Sequence, residues 1–592
     1  MSPSQIIVLA TPVFLLLIAL EFAWGWKKKR NTYRLNDAVN GISLGMLSEA
    51  TKVFTRLLRV GIYGAVYTTV SLVALDEARA FWTTWYGWLL ALVFYDFCYY
   101  WLHRAGHECA LFWAAHVVHH QSQDYNLSTA LRQTSSGALV GWIFYLPMAI
   151  AGVSPIVFGT VALIDLLYQF WVHTEHVGKL GWFDRWFCSP SNHRVHHAVN
   201  DGYLDRNYGG VLIVWDRLFG SFQEEGEKCI YGTRSPLNSW DPLWSNAEVY
   251  WALAKDSWHA GNWIDKLRVW FKPPGWRPAD VAARFPKPTF DLTQVERYHP
   301  RLSAPVAWFG AIQFLILLNC VALFLWNADK MALPQSAVWL AALAAGLWSI
   351  GALMQGRVTM LEVLLIEAAA LATATGADNL VLLHRVFKPL AMLLAIAYVV
   401  QRDRATKLPA RFDLLLLAGL ACSLGGDSFL LLPGLFIPGL VSFLVAHLFY
   451  IAMFKQDVPW IPSYRALLAT LGVGGAMYGF LFPSLAPVLR IAVAAYVVVI
   501  AVMAAQAIGR ALWLRDKASV AAAIGACFFM LSDSLLATNK FAVQLPMAQF
   551  LVLATYYVAQ ILIARNARSD TGVAKGEGDT PVPASLPGAV TS

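Results

Sequence analysis

The feature that most limits the fold of this chain is its series of long apolar runs, each close to the length that crosses a lipid bilayer. A spanning helix needs about 20 mostly apolar residues, and in lipid only helices and closed barrels satisfy all backbone polar groups. Only 14% of the 592 residues are charged and the mean hydropathy is +0.51, which excludes an ordinary soluble protein and a disordered one. We therefore expect an all-α polytopic membrane protein.

The first apolar run, about residues 6–26, is followed by four basic residues, Lys27 to Arg30. A secretory signal peptide has the opposite order, with its charge before the apolar stretch. We therefore expect a retained anchor whose basic end lies in the cytoplasm. Counting the later crossings of this half predicts that His103 and His173 emerge on the same cytoplasmic side. Those crossings are expected at about residues 57–75, 85–102, 139–152 and 155–172.

A stretch rich in proline and charge separates this half from a second series of apolar runs. We expect a first domain over 1–275, a linker over 276–305, a second multi-span helical bundle over 306–566 and a polar, disordered tail over 567–592. Basic residues gather in short loops beside the runs, which fits membrane topology better than binding to nucleic acid. The ten runs of the second bundle are expected at about residues 306–326, 335–354, 358–376, 380–400, 412–432, 435–454, 464–483, 487–508, 518–537 and 545–564.

Tryptophans recur at seven-residue steps just before the linker. Because seven residues are close to two helical turns, each series stays on one side of a helix. Either this stripe lies in the lipid headgroup region or it packs as a core against the rest of its domain, and the sequence leaves both interpretations open. The residues are Trp244, Trp251, Trp258, Trp263 and Trp270.

Ten of the fourteen histidines lie between His103 and His197. On a helix, residues three and four apart share a face, so each cluster can direct several ring nitrogens at one point. Neutral imidazole is the commonest transition-metal ligand, and it suits iron, zinc and copper. Ten nitrogens exceed the needs of one ion, so the pattern predicts a two-metal site. The clusters are His103 and His107; His116, His119 and His120; His173 and His176; and His193, His196 and His197.

The clusters and their flanking segments resemble the fatty acid hydroxylase / sterol desaturase superfamily of membrane di-iron oxygenases. Within it they are similar to the alkylglycerol monooxygenase family. The resemblance covers roughly residues 85–280. The segments that carry it are Tyr95–His103, Asp124–Gln133, Leu167–Glu175, Pro190–His197 and Asn207–Asp216.

The resemblance implies hydroxylation of the ether-bearing alkyl carbon of a 1-O-alkylglycerol or lyso-ether lipid in the bilayer. It also implies two iron ions that use O2, with electrons from tetrahydrobiopterin and a pterin-recycling or other electron donor system. The product is a hemiacetal that collapses to a fatty aldehyde and a glycerol derivative. The ligands carried over onto this sequence are His103, His107, His116, His119, His120, His193, His196 and His197.

Two further histidines and three acids lie beside these ligands. His173 fits a further ligand position, whereas for His176 an outer-shell role or none stays open. Metal-bound histidines usually donate their second N–H to a carboxylate or carbonyl, so Asp96, Glu108 and Glu175 are expected to accept such hydrogen bonds. Glu175 is also a candidate catalytic residue, and surface charge explains Glu108 equally well.

Two acids, Asp427 and Asp533, stand inside apolar runs of the second bundle, where a carboxylate is costly and is by default a functional candidate. Each is the sixteenth residue of its run, so both are expected at similar depth. Two carboxylates that share an apolar cavity form an acid–base pair; alternatively, one caps a helix and the other bonds a neighbour. Residues 310–565 resemble the lysoplasmalogenase family of vinyl-ether hydrolases, which implies that these two acids are catalytic.

Two other functions stay open at this level. One keeps the di-iron oxygenase but changes the substrate to a fatty acyl or sterol lipid, hydroxylated or desaturated with electrons from a redox protein. The other is a metal-binding membrane transporter. A transporter would place its ligands within the spans, whereas these histidines are expected just beyond the span ends.

Overall fold

The computed structural model describes residues 2–72, 75–406 and 411–567. Across these ranges the chain is helical, and its β-structure amounts to two isolated antiparallel bridges, Phe187 with Leu212 and Ala198 with Tyr231. The expected all-α class is therefore confirmed. Most of the tail predicted to be disordered, residues 568–592, lies outside the described residues.

Eleven of the described helices are long and apolar enough to cross a membrane. One is the N-terminal helix, and the other ten correspond to the ten runs predicted between residues 306 and 564. The protein is thus an integral membrane protein. The candidate spans after the first are Ala304–Lys330, Leu333–Met354, Met360–Ala377, Val381–Arg402, Arg411–Leu430, Phe436–Phe454, Tyr464–Ser484, Pro487–Leu514, Lys517–Ala542 and Ala548–Asn566.

The chain divides into two compact units, with the boundary after Met360. The helices of the first unit are α1 (Pro3–Lys27), α2 (Leu35–Arg56), α3 (Ile62–Thr69), α4 (Leu75–Trp82), α5 (Trp85–Glu108), α6 (Ala110–Ala114), α7 (Leu127–Ala130), α8 (Gly137–Val140), α9 (Leu146–Ile150), α10 (Pro155–Trp171), α11 (Phe183–Trp186), α12 (Pro190–His197), α13 (Val214–Phe219), α14 (Pro242–His259), α15 (Trp263–Phe271), α16 (Ala279–Arg284), α17 (Ala304–Asn327) and α18 (Leu333–Met354).

The second unit is a bundle of eight long helices. They are α19 (Met360–Ala377), which begins at the boundary, α20 (Val381–Thr406), α21 (Arg411–Leu430), α22 (Phe436–Phe454), α23 (Tyr464–Leu481), α24 (Pro487–Leu514), α25 (Lys517–Ala537) and α26 (Ala548–Asn566). Its core is rich in alanine and aromatic side chains, among them the buried Ala446, Tyr450 and Phe529.

The boundary after Met360 differs from the expected linker over 276–305, because two helices predicted for the second bundle pack inside the first unit. The apolar side chains of α17 and α18, such as Leu317 and Leu347, form one core cluster with Ile42 and Met46 of α2. An apolar run in the sequence predicts that a helix spans the membrane, but it does not say which neighbours the helix will contact.

The run expected to form one span over 57–75 is divided. A π-helical turn occupies Leu57–Gly61, α3 ends at Thr69, and α4 begins at Leu75. The hairpin helices near it, at Gly137–Ile150 and Pro155–Trp171, are shorter than a full span. Within the described residues, the crossings predicted at about 57–75, 85–102, 139–152 and 155–172 are therefore not among the candidate spans. The side of the membrane on which the histidines lie stays a prediction.

The tryptophan stripe lies mainly on an exposed face of α14 and α15. Trp258 and Trp263 are each 81% exposed and Trp251 is 56% exposed, whereas Trp270 is half-buried. A core stripe would be buried, so the exposure favours the membrane-interface interpretation.

Helix starts in the first unit follow capping chemistry. Thr84 begins α5 by accepting a hydrogen bond from the Gly87 amide, and Ser189 begins α12 by accepting one from Asn192, with Pro190 at the first helical position. Such caps satisfy backbone donors that have no partner within the helix. They fix where each histidine helix starts and hence which way its side chains point.

Candidate functional site

Nine of the ten clustered histidines come together in the first unit as two adjacent groups of ring nitrogens. Within each group the nitrogens all lie within 4.8 Å of one another, and eight of the nine side chains are buried, His116 being half-buried. The five-histidine group is His103, His107, His116, His120 and His196; the four-histidine group is His119, His173, His193 and His197.

The long helix α5, the short helix α12 and one 3-10 turn set most of this arrangement. The two histidines of α5 are four residues apart and enter the same group. In the turn Val117–His120, His119 and His120 point to different groups, as do His196 and His197 of α12. The two groups are therefore adjacent, and the ring centroids of His120 and His197 are 4.3 Å apart.

Backbone carbonyls fix the orientation of four imidazole rings. The Nδ1 of His103 lies 2.7 Å from the Tyr208 oxygen, and that of His119 lies 3.0 Å from the Arg132 oxygen. Because a carbonyl can only accept, each of these Nδ1 atoms carries the hydrogen, and in the neutral ring Nε2 is left with a lone pair. Equivalent contacts join His173 to the Gln169 oxygen at 2.8 Å and His196 to the Arg206 oxygen at 2.9 Å.

The contact between His119 and His173 fits a bound cation better than a hydrogen bond. The Nε2 atoms of His119 and His173 are 3.2 Å apart. Both rings use their one hydrogen on a carbonyl, so two lone pairs face each other. Burial lowers the pKa of both rings, that of His119 to about 4, so neither is protonated near neutral pH. Nitrogen lone pairs converging in this way fit a bound transition-metal ion.

The carboxylates expected beside the ligands have other partners. Asp96 accepts hydrogen bonds from the Val211 and Leu212 amides, at 2.7 and 3.0 Å, and from the Trp215 indole. Asp96 therefore does not bond a histidine itself. Its hydrogen bonds hold the loop whose Tyr208 carbonyl contacts His103.

Glu108 and Glu175 also make no hydrogen bond to a histidine within the described ranges. Glu108 is exposed and pairs with Arg104 at 2.9 Å, as surface charge would. Glu175 is half-buried. Burial raises the pKa of the Tyr231 hydroxyl, and the charge of Glu175 raises it further. The expected hydrogen bonds from ligand histidines to Asp96, Glu108 and Glu175 are thus not formed.

A carboxylate that does approach a grouped histidine is that of Asp205, whose Oδ1 lies 3.4 Å from the His107 Nδ1. Asp205 and Asn207 both have positive φ, 57° and 56°. Left-handed conformations are tolerated best by Asn, Asp and Gly, and the segment Asp205–Gly210 contains four such residues. From that composition, the sequence could have predicted a loop with left-handed residues at this position.

His176 lies outside both groups. Its ring is beside Gly25 of α1, where a Cβ added to the glycine would lie 3.1 Å from Nε2. Its backbone amide bonds the Thr174 hydroxyl at 3.1 Å. The structure thus places His176 at the contact between α1 and the histidine domain.

In the second unit, Asp427 is buried among polar partners. Tyr556 donates a hydrogen bond to its Oδ2 at 2.6 Å, and the Lys388 ammonium lies 3.4 Å from its Oδ1. Lys388 is itself 7% exposed. These three side chains bring α20, α21 and α26 together.

Asp533 has a different environment on α25. Tyr496 donates to its Oδ2 at 2.6 Å, and the His447 Nε2 lies 3.9 Å from the same oxygen. Asp427 and Asp533 line one cavity of about 510 Å³, together with Lys388. The expected shared cavity is therefore present, with a separate tyrosine partner for each acid.

Two family models match separate parts of the chain, one in each of the two compact units. Residues 88–221 match the fatty acid hydroxylase family, and residues 383–567 match the YhhN family. The first range contains all nine grouped histidines, and the second contains Asp427, Asp533 and Lys388. The fold and the site thus define a polytopic membrane protein that joins a fatty acid hydroxylase domain to a YhhN domain.

Among known proteins, the chain is 36% identical to the alkylglycerol monooxygenase of Xenopus tropicalis, over 55% of this chain and 72% of the relative. It is 35% identical to that of Danio rerio, over 65% and 84%. It is also 36% identical to the human lysoplasmalogenase TMEM86A, over 25% and 63%. The chain belongs to the alkylglycerol monooxygenase family and carries a lysoplasmalogenase-like C-terminal domain. No solved structure matches it significantly.

Proposed function

We propose that the first unit is an oxygenase that hydroxylates the ether-bearing alkyl carbon of 1-O-alkylglycerols or lyso-ether lipids. The hemiacetal formed collapses to a fatty aldehyde and a glycerol derivative. The observation that carries the proposal is the convergence of nine imidazoles in two adjacent groups, in a chain that belongs to the alkylglycerol monooxygenase family. All nine lie outside the eleven candidate spans, which disfavours a transporter.

Two iron ions are the proposed occupants, one in each histidine group. They would supply the activation of O2, with electrons from tetrahydrobiopterin or another donor. The chain's own part is to hold neutral imidazoles in fixed directions. The carbonyls of Tyr208 and Arg132 accept from the Nδ1 atoms of His103 and His119, which makes the opposite Nε2 atoms better donors to a metal.

We place the histidine groups on the cytoplasmic side of the membrane. Glu21 of α1 accepts a hydrogen bond from the Leu127 amide at 2.8 Å, and Gly25 contacts His176, so the histidine domain packs at the C-terminal end of α1. The basic cluster Lys27 to Arg30 follows that end, and such clusters favour the cytoplasm.

The second unit is proposed to hydrolyse the vinyl ether of lysoplasmalogens, with Asp427 and Asp533 as its acid–base pair. The support is the YhhN match and the cavity that both carboxylates line. Vinyl-ether hydrolysis requires one group that protonates carbon and another that activates water. Both units would then release an aldehyde from the first position of glycerol.

The test is an assay of the full chain purified in detergent. With iron, O2 and tetrahydrobiopterin, it should consume an alkylglycerol and release a fatty aldehyde, and metal analysis should give two irons per chain. His119→Ala should lose bound iron and reduce aldehyde release by at least about 100-fold, since it removes one of four clustered ligands.

The matched control is His259→Ala, because His259 lies on α14 away from both groups and bonds the Lys255 carbonyl. It should retain both irons and the activity. Oxygenation supported by a reduced ferredoxin but not by the pterin would overturn the proposal in favour of a fatty acyl or sterol hydroxylase.

A further inference from the structure

The two acids of the second unit differ in whether a cation lies beside them. Asp427 is 2% exposed and its Oδ1 is 3.4 Å from the Lys388 ammonium. A carboxylate held away from water persists as an anion when an opposite charge and hydrogen bonds compensate its desolvation. Lys388 and the Tyr556 hydroxyl supply both to Asp427.

Asp533 has no such cation. Within the described ranges, its one ion-pair contact is the 3.9 Å approach of His447. His447 is fully buried, and neither of its ring nitrogens has a hydrogen-bond partner. A protonated imidazole would leave two charged N–H donors unsatisfied there, so His447 is neutral. The Asp533 carboxyl is half-buried beside it and borders an apolar cavity, and such surroundings without a cation favour the protonated acid.

The remaining titratable groups near this pair do not change the contrast. Tyr450 of α22 and Tyr557 of α26 lie near Asp427, but both are phenols and carry no charge near neutral pH. The cavity is also lined by His384, Arg385 and Lys540, none of which lies within 4 Å of either carboxylate.

The acids also face different surroundings. Both acids line the shared cavity of about 510 Å³. Asp533 also lines a second, apolar cavity formed by side chains such as Met477, Val493 and Ile500, and Asp427 does not. A lipid with a hydrocarbon chain in the apolar cavity would present the chain side of its vinyl ether to Asp533. Water and the polar end of the lipid would lie on the side of Asp427.

We propose that Asp533 is the general acid and Asp427 the general base of the vinyl-ether reaction, and that Lys388 is a positioning residue that keeps Asp427 ionised. This assignment rests on the proposed hydrolase function of the second unit. The Asp533 carboxyl gives its proton to the vinyl carbon next to the alkyl chain, which leaves a cation on the carbon bonded to oxygen.

Water then adds to that cationic carbon while the Asp427 carboxylate takes one of its protons. The resulting hemiacetal breaks its bond to the glycerol oxygen, with the proton of its hydroxyl released and the glycerol oxygen protonated. The net reaction is R–CH=CH–O–R′ + H2O → R–CH2–CHO + HO–R′. Transfer of the proton on Asp427 back to Asp533 through the cavity restores the starting state.

The test is the pH dependence of kcat/KM for the full chain in detergent, with a 1-alkenyl-2-lyso-glycerophosphoethanolamine as substrate. The wild type should give a bell-shaped profile of kcat/KM against pH. The proposed base, Asp427, sets the limb at low pH (the acid limb), and the proposed acid, Asp533, sets the limb at high pH (the alkaline limb). Lys388→Met should move the acid limb to higher pH by about 1 unit or more, because a neighbouring cation is lost. Lys388→Arg should restore the position of the limb.

A pair of tyrosine variants keeps the test informative if Lys388→Met does not fold. Tyr556→Phe removes a hydrogen bond from Asp427 and should move the acid limb alone. Tyr496→Phe removes the equivalent bond from Asp533 and should move the alkaline limb alone. The opposite assignment of limbs, or no movement in any variant, would overturn the inference.

Failure of the underlying function gives a different result. A wild-type protein that releases no aldehyde from the alkenyl lipid at any pH would refute the hydrolase proposal itself. A wild type that hydrolyses the lipid, with Lys388→Met leaving both limbs in place, would refute the role assignment alone.

Discussion

The orientation of a grouped histidine depends on the atom that its Nδ1 contacts as well as on its position in the sequence cluster. Four of the nine rings have Nδ1 against a backbone carbonyl, and His107 has it near a carboxylate. This second contact selects the tautomer and aims Nε2 at the group centre. Spacing along the sequence predicts neither the carbonyls nor the loop that supplies them.

The first prediction at this scale concerns His176. His176→Ala should retain two irons and wild-type oxygenase activity, because its ring packs against Gly25 and outside both groups. Metal analysis of the purified variant measures this directly. Loss of one iron while the protein stays folded would show that His176 is a ligand after all.

A second prediction concerns Asp96. Asp96→Asn should lower the free energy of unfolding by about 2–4 kcal/mol, since three hydrogen bonds to a charged acceptor are weakened. It should also weaken iron binding, because the loop that carries the Tyr208 carbonyl loosens. Thermal unfolding and a chelator competition assay measure the two effects.

Glu108→Gln, on the same helix, is the control for Asp96→Asn. Its carboxylate is exposed and pairs with Arg104 alone, so a change of no more than about 0.5 kcal/mol is expected. Equal effects of the two substitutions would contradict the anchoring role of Asp96.

At the scale of elements, one close approach adds to the core cluster that holds α18 in the first unit. Gly351 of α18 lies against the Trp240 carbonyl, where an added Cβ would be 2.1 Å from the oxygen. A backbone atom cannot rotate away as a side chain can. A glycine is therefore required at position 351, where α18 meets the Trp240 backbone.

Gly351→Ala should destabilise the first unit by about 1–3 kcal/mol through overpacking. Oxygenase activity and iron content should fall while hydrolysis of the alkenyl lipid is retained. The control is Gly472→Ala in α23, where an added Cβ meets nothing within 4 Å. A Gly351→Ala protein with normal oxygenase activity would contradict the packing of α18 described above.

At the scale of the whole molecule, the two units have separate cores and separate sites, so their activities should be separable by single substitutions. His196→Ala should abolish oxygenation and leave vinyl-ether hydrolysis unchanged. Asp533→Asn should lower hydrolysis by at least about 100-fold, as loss of a general acid does, and leave oxygenation intact. Assaying both variants on both lipids tests this, and loss of both activities in either variant would contradict it.

Much of this organisation could be predicted from the sequence, because it depends on periodicity and length. The ten later spans and the histidine clusters follow from apolar runs and helical spacing. Three features could not be predicted, because they depend on which segments meet in space. They are the division of the run 57–75, the packing partners of α17 and the backbone carbonyls that accept from the histidine rings. His119 and His120 illustrate the limit: they are neighbours in the sequence and belong to different groups.

That split has a consequence for how iron enters the protein. The turn with His119 and His120 and the helix with His196 and His197 each contribute to both groups, so an ion bound in one group would also restrain the backbone that holds the other. We therefore expect the second of the two proposed ions to bind more tightly than the first, since less ordering entropy is left to lose. An iron titration should pass from empty to doubly loaded protein with few singly loaded molecules. A cell short of iron would therefore contain some fully competent enzyme beside empty enzyme, rather than a uniformly half-loaded population.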